Sequence, residues 1–292
     1  MAKKSADYVS HTTGQIAGVR STSIFYQEWA PPKTQLRGGI IVVHGYAEHG
    51  GRYSALAEDL VSAGFAVGAV DHRGHGKSEG KRVQVEEFDD YVDDLAKYEK
   101  SFRQRYPAPL PLFILGHSMG GLITLRYVTR DKPGFDGIVI SGTAAAKPDD
   151  VSSLTVAIGN ILAKVAPDVG VVSLPLEKIS RDPKVVADYK ADPLVFDQKV
   201  RARLGAGMLK AMEQCEQALP SVTTPILILH GGDDVLTPPS GSRMIDKRIG
   251  SDDKTLEIYD GLWHEIFNEP ERDVVIADVV AWLDRQIGKP AA

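Results

Sequence analysis

The chain has 292 residues, a formal net charge of −5 and ordinary shares of apolar (43%) and charged (25%) residues. This size predicts a globular chain with a full core, and the acidic balance gives no reason to expect nucleic acid as a partner. No apolar run approaches the roughly 18 residues of a membrane span, no secretory leader is recognisable, and a single cysteine, Cys215, excludes an internal disulfide.

The predicted elements alternate between strand and helix along the chain. Residues 1–15 are polar and are predicted to be frayed, and residues 23–29 are predicted as a strand of a small entry hairpin. Continuous apolar runs predict buried strands at residues 39–43, 65–70, 112–115, 137–140, 225–229 and 255–259. Helical spacing of apolar residues predicts helices at residues 53–63, 86–105 and 274–287.

This alternation predicts an α/β fold, with a mainly parallel sheet covered by helices on both faces. The alternation is interrupted once, because residues 142–224 contain no clear strand. We interpret that stretch as a helical cap inserted over the strand ends, where open α/β sheets bind ligands. The predicted organisation is a first part of the core at 1–142, the cap at 143–224, and a second part of the core at 225–292.

The most informative motif is Gly116-His117-Ser118-Met119-Gly120, which lies between a predicted buried strand and a run of helix-forming residues. This is the G-x-S-x-G nucleophile elbow in its expected context. A serine hydroxyl is a poor nucleophile unless it is exposed beside a base, and a tight turn provides that exposure. Gly116 and Gly120 leave room for the turn, because a Cβ at either position would meet neighbouring backbone. Ser118 is therefore the predicted nucleophile.

An elbow of this kind requires an acid and then a histidine later in the chain. Of the eight histidines, only His264 follows the candidate acids. The acid is expected after the strand at 225–229, where Asp233 and Asp234 are adjacent and cannot both face one histidine. We choose Asp234 to orient the His264 ring, and expect Asp233 to cap a turn or face solvent.

The oxyanion formed by attack on an acyl carbonyl needs two backbone donors. One is expected from the Met119 N–H at a helix start, and the other from Tyr46 in the loop after the strand at 39–43. Histidines also occur in pairs that lack a third ligand at metal spacing, so no metal site is predicted. These pairs are His44 with His49 and His72 with His75.

Several segments together resemble one family. They are HGYAEH at 44–49 with Arg52-Tyr53 after it, DHRGHGKS at 71–78, GHSMG at 116–120, GGDDVLTP at 231–238, and the tryptophan-preceded His264. The resemblance is to the monoacylglycerol lipases, in particular the actinobacterial monoglyceride lipases, and it covers about residues 20–287. One departure is Tyr46-Ala47, where members of the family usually have a small or aliphatic residue followed by glycine.

The resemblance implies an α/β-hydrolase fold with a mobile helical cap. It implies hydrolysis of monoacylglycerol to fatty acid and glycerol without a cofactor, with Ser118, Asp234 and His264 as the triad. It also implies that the backbone of Tyr46 and Met119 forms the oxyanion hole. The departure at Tyr46 leaves that backbone donor in place but changes the expected shape of the acyl pocket.

Alternatives remain at this point. A lysophospholipase or a broad-specificity carboxylesterase would share the same triad and differ in the pocket, and an acyltransferase would share the acyl-enzyme. A non-catalytic binding protein on the same scaffold would normally lack a triad member, and this chain has all three.

One predicted cap helix is apolar nearly all round. Leu154, Ile158, Ile161, Leu162 and Val165 form one face, and Val156, Ala157 and Ala163 make the opposite face apolar. Such a helix is either buried against the main domain or meets lipid as a lid. A cytoplasmic location is expected, and the apolar cap allows peripheral attachment to a membrane or the cell envelope.

Overall fold

The structure is a computed structural model, and it describes residues 10–146 and 153–288. Its strands are β1 (Ser10–Ala17), β2 (Ser23–Ala30), β3 (Gly38–Val43), β4 (Phe65–Val70), β5 (Leu112–His117), β6 (Gly137–Ser141), β7 (Gly170–Val172), β8 (Val200–Arg201), β9 (Ile226–Gly231) and β10 (Lys254–Tyr259). Its helices are α1 (Ser54–Ser62), α2 (Asp89–Arg105), α3 (Met119–Arg130), α4 (Ser153–Val165), α5 (Pro183–Ala191), α6 (Ala202–Ala218), α7 (Ser240–Arg248) and α8 (Arg272–Ile287).

Eight of these strands form one sheet in the order β1-β2-β4-β3-β5-β6-β9-β10. The strands β4, β3, β5, β6, β9 and β10 run parallel to one another. The antiparallel hairpin of β1 and β2 pairs with β4 at one edge. The predicted α/β class and mainly parallel sheet are therefore confirmed, and the entry hairpin is present.

The core lies on both faces of the sheet, which explains why the central strands are continuous apolar runs. In β3, Ile41 and Val43 join the cluster formed with α2, α3 and α6, whereas Ile40 and Val42 join the cluster formed with α1 and α8. Successive side chains of a strand point to opposite faces, so a strand covered on both sides needs apolar residues at every position.

Two predictions about strands are wrong. Residues 10–15 are not frayed but belong to β1, an edge strand paired along its whole length with β2. Its sequence, SHTTGQIA, is polar because most of its side chains face solvent, and ladder hydrogen bonds from β2 hold it in place. The stretch 142–224 also contains strands, since β7 and β8 pair antiparallel in a separate two-stranded sheet. They are only three and two residues long, which is too short to produce a periodic signal.

The remaining elements between β6 and β9 are mainly helical. Helix α4 packs on α6, and α6 packs on α3 of the main fold. Two backbone hydrogen bonds join this segment to loops that follow the sheet strands, from Phe196 to Ala47 (2.9 Å) and from Glu265 to Ile179 (2.8 Å). The division into core and cap at residues 143 and 224 stays a prediction. Among the helices of residues 10–146 and 153–288, none has the length and hydropathy needed to cross a membrane.

Candidate active site

The carboxyl ends of the parallel strands meet along one edge of the sheet. The register sets Val43 beside Gly116, His117 beside Ser141, and Gly231 beside Tyr259. The loops that leave β3, β5, β9 and β10 therefore begin side by side. These loops carry the predicted residues, namely Tyr46, Ser118, Asp234 and His264.

Ser118 connects β5 to α3 with a strained backbone, at φ 55° and ψ −119°. Its N–H donates to the Ser141 carbonyl at 2.9 Å, and its own carbonyl accepts the N–H of Ala144 at 3.2 Å. A Cβ at Gly116 would lie 2.6 Å from the Gly120 carbonyl oxygen, and a Cβ at Gly120 would lie 2.0 Å from that of Val43. Both glycines are thus required for close backbone packing, as the sequence predicts, and the packing maintains a conformation that costs about 1–3 kcal/mol.

Asp234 and His264 form a buried pair. The distance between Asp234 Oδ2 and His264 Nδ1 is 2.7 Å, and both residues are about 5% exposed. The other carboxylate oxygen, Oδ1, accepts the backbone N–H groups of Leu236 (2.8 Å) and Thr237 (3.0 Å). Asp233 is exposed, as the sequence predicts for the neighbouring carboxylate.

The electrostatics of this pair suit a general base. Burial alone would raise the pKa of Asp234, but the charge of His264 and hydrogen bonds from His230 and His264 hold that pKa well below its ordinary value. Burial alone would lower the pKa of His264, but the Asp234 carboxylate, together with those of Glu265 and Glu48, outweighs burial and raises that pKa above its ordinary value of 6.5. The structure therefore contains a carboxylate that remains ionised beside an imidazole whose protonated form it stabilises.

Sequence reasoning did not identify Thr237 or His117 as part of this site. The Thr237 hydroxyl lies 2.8 Å from Asp234 Oδ2 and 3.2 Å from His264 Nδ1, so it sits against the hydrogen bond between them. The His117 ring lies 4.6 Å from the His264 ring, and burial lowers the pKa of His117 to about 3. His117 is therefore a neutral neighbour and adds no charge beside His264.

A buried ion-pair network, also not predicted, lies beside the same site. Arg52 donates to Glu265 from both terminal guanidinium nitrogens, Nη1 (2.7 Å) and Nη2 (2.8 Å), and to Glu48 from Nη1 (2.6 Å). The guanidinium stacks 4.4 Å from the ring of Tyr189 in α5. The only sequence signal was the four-residue spacing of Glu48 and Arg52, whereas Glu265 is 213 positions from Arg52.

The backbone groups predicted to hold an oxyanion lie on two different elements. Met119 is the first residue of α3, so its N–H is one of those that a helix leaves without an internal acceptor. Tyr46 lies in the loop after β3. A Cβ at Gly45 would lie only 3.2 Å from the Cβ of Ser118, which shows how closely this loop passes the serine.

Ser118 and His264 open into one cavity of about 550 Å³, within the usual range for small-molecule sites. Its walls are mostly apolar side chains from the segment between β6 and β9, and Glu48 and Glu265 are also among the lining residues. The cavity is therefore apolar over most of its surface and has acidic residues at one part of its lining. Within the two described ranges, no group of three histidine, cysteine or acidic residues is placed to hold a metal ion.

A mainly parallel sheet with a strained serine after β5 and an Asp–His pair beyond β9 and β10 defines a hydrolase of the α/β-hydrolase fold. Residues 34–271 match the Hydrolase_4 family, described as serine aminopeptidase S33. The chain is 41% identical to a monoacylglycerol lipase of Mycolicibacterium smegmatis over 267 residues, which is 91% of this chain and 95% of the relative.

Two solved structures agree with these comparisons. The crystal structure of Paleococcus ferrophilus monoacylglycerol lipase has a TM-score of 0.79 and 34% identity, covering 90% of this chain and 99% of that one. A soluble variant of monoglyceride lipase from Saccharomyces cerevisiae, in complex with a substrate analog, has a TM-score of 0.85 and 26% identity, covering 97% of both chains. The chain belongs to the monoacylglycerol lipase family of α/β-hydrolases, which confirms the resemblance noted from its motifs.

Proposed function

We propose that this chain hydrolyses monoacylglycerol to a free fatty acid and glycerol through an acyl-enzyme intermediate. Ser118 attacks the acyl carbonyl, His264 accepts its proton and then protonates the leaving oxygen, and Asp234 orients and stabilises the imidazolium. The N–H groups of Tyr46 and Met119 stabilise the oxyanion. Water then attacks the acyl-enzyme with His264 as general base, which breaks the bond to Ser118 Oγ, releases the fatty acid and returns the proton to Ser118.

The cavity carries this proposal. Ser118 and His264 line a space that is apolar over most of its walls but also includes Glu48 and Glu265. An acyl chain needs the apolar walls, and a head group with free hydroxyls can donate hydrogen bonds to the carboxylates. Monoacylglycerol has both parts and carries no charge.

A lysophospholipid fits this lining less well. Its phosphate would lie close to two carboxylates, and the single positive charge of Arg52 is already shared between them. Like charges placed together across an interface cost several kcal/mol. The lining therefore favours a glycerol head group over one that carries a phosphate, including the zwitterionic phosphocholine head group.

The segment between β6 and β9 supports contact with a lipid surface. Apolar side chains are exposed along α4 and on the loop and strand that follow, at Ile158, Ile161, Val165, Val169, Val171 and Val172. Exposed apolar side chains beside a substrate cavity form a surface suited to reversible contact with aggregated lipid. We include peripheral membrane contact through this surface in the proposal.

The experiment is a set of initial rates on substrates with the same acyl chain: monoacylglycerol, diacylglycerol, lysophosphatidylcholine and a p-nitrophenyl ester. We expect monoacylglycerol to react at least about tenfold faster than lysophosphatidylcholine, since a tenfold difference needs only about 1.4 kcal/mol. Ser118→Ala should abolish both hydrolysis and labelling by a fluorophosphonate probe. Activity confined to the p-nitrophenyl ester would leave the nucleophile in place and rule out monoacylglycerol.

A further inference from the structure

The loop after β3 contains a buried histidine whose protonation state can be assigned. His44 is fully buried, and its Nε2 lies 2.9 Å from the backbone nitrogen of His72. A backbone N–H can only donate, so Nε2 accepts and carries no proton. Burial, together with the neighbouring His72 and His75, lowers the pKa of His44, so the ring is neutral and its one proton is on Nδ1.

That proton has one acceptor, the carbonyl oxygen of Gly45, which lies 2.7 Å from Nδ1. The Gly45 carbonyl and the Tyr46 N–H belong to the same planar trans peptide, in which the two groups point in opposite directions. A hydrogen bond that fixes the carbonyl therefore fixes the direction of the N–H. The same bond polarises the peptide and strengthens its N–H as a donor.

The preceding peptide is held at both of its polar atoms. The His44 carbonyl lies 3.0 Å from His72 Nε2, and the Gly45 N–H donates to Glu48 Oε1 at 2.6 Å. Of the four polar atoms in these two successive peptides, three have partners within the described residues, and the Tyr46 N–H is the fourth. Among the described residues, no acceptor bonds this N–H, which lies in the loop that passes close to Ser118.

We infer that His44 is a positioning residue, which acts through the Gly45 carbonyl to hold the Tyr46 N–H toward the oxyanion. His72 assists by fixing the tautomer of His44 and by holding the His44 carbonyl. This inference rests on the proposed function, because it assigns the Tyr46 N–H to an oxyanion formed at Ser118.

The test compares His44→Ala with wild type on a p-nitrophenyl ester and with an alkylboronic acid as probe. Loss of one oxyanion donor lowers kcat by about 10²–10³-fold, so loss of its alignment should lower kcat by about 10–100-fold, with KM within about twofold. The boronic acid forms a tetrahedral adduct with Ser118 that places an oxygen in the oxyanion hole. Its affinity should therefore fall by a factor similar to that in kcat.

His75→Ala is the matched control. His75 is as buried as His44 and belongs to the same ring cluster, but its Nδ1 lies 3.0 Å from the Arg73 carbonyl and it makes no hydrogen bond to residues 44–46. We expect its kcat and boronic acid affinity to remain near those of wild type. Equal losses in both alanine variants would overturn the inference, because they would assign the effect to packing.

If His44→Ala does not fold, two amide variants at the same position test the inference instead. His44→Asn places a donor nitrogen at the δ position, and His44→Gln places it one bond further along. We expect the asparagine variant to retain more kcat than the glutamine variant at equal Tm, and the reverse order would contradict the inference. Wild-type hydrolysis of monoacylglycerol tests the proposed function separately, since the variants are compared on the p-nitrophenyl ester.

Discussion

Ser118 and Asp234 obtain their properties from opposite kinds of local structure. Ser118 is held in a strained backbone by bonds to the strand beside it, at Ser141. Asp234 lies in a loop after β9 whose backbone N–H groups, together with His264, stabilise its charge. Strain exposes the nucleophile, and hydrogen bonding keeps the acid ionised at any pH near neutrality.

The raised pKa of His264 predicts how activity depends on pH. Because His264 must be neutral to accept a proton, kcat/KM should rise with pH through a midpoint above 6.5, the ordinary value for histidine. Asp234 is the main group that raises this pKa, so Asp234→Asn should move the midpoint to lower pH. The same change should lower kcat by about 10⁴-fold, because the ring loses the partner that sets its tautomer.

Asp233→Asn provides the matched control for this pH profile, since Asp233 is adjacent in sequence but exposed. Its kcat and midpoint should equal those of wild type. If Asp233→Asn rather than Asp234→Asn lost activity, the assignment of the acid would be wrong.

The sequence predicted the roles of side chains that follow from their order along the chain. It did not predict side chains that are brought together only by the folded structure. Ser118, Asp234 and His264 could be selected because the elbow motif specifies what must follow it. Arg52 and Glu265 could not be paired in advance, because 213 positions separate them and neither belongs to a periodic pattern. The bond from His44 to Gly45 was equally hidden, since it depends on a ring tautomer that only the contact with His72 reveals.

Secondary-structure elements that are buried were predicted more accurately than exposed ones. Strands covered on both faces, such as β3 and β5, were found within two residues of their ends because every position must be apolar. The exposed edge strand β1 was missed because nothing in its side chains distinguishes it from a polar loop. Helix α4 was recognised, but its apolar face left two interpretations open, and Leu154, Val156 and Ala157 lie outside the residues whose side chains are described.

The exposure of α4 favours the interpretation as a lid that meets lipid. Ile161 is 60% exposed and does not line the cavity. An isoleucine gains about 1.5–3 kcal/mol when it is buried, so Ile161→Glu should lower the rate on monoacylglycerol in vesicles by about tenfold if the side chain enters lipid. The rate on a monomeric short-chain p-nitrophenyl ester should be unchanged.

Val274→Glu on α8 is the control for this lipid contact, because Val274 is similarly exposed (57%) but lies on a helix of the main fold. It should alter neither rate. If Ile161→Glu left the rate on vesicles unchanged, or lowered both rates equally, contact between α4 and lipid would be excluded as the cause.

Arg52 connects parts of the chain that are far apart in sequence. Glu48 belongs to the loop after β3, Glu265 to the loop before α8, and Tyr189 to α5 in the segment between β6 and β9. One guanidinium thus connects three parts of the chain that are far apart in sequence. It does so directly beside the cavity, since Glu48, Glu265 and Tyr189 all line it.

Removing Arg52 should therefore destabilise the protein more than removing an exposed arginine that also bridges distant segments. Arg52→Met leaves two buried carboxylates without their cation, and breaking a buried pair in this way typically costs about 3–5 kcal/mol. Arg37→Met is the control, since Arg37 bonds Asp284 at 2.8 Å with both side chains more than 40% exposed, and such a pair contributes about 1 kcal/mol or less. Urea unfolding measures both. Equal losses of unfolding free energy in the two variants would mean that solvent or local rearrangement compensates the charges of Glu48 and Glu265 when Arg52 is absent. The packing of α5 over the cavity would then not depend on their pairing with Arg52.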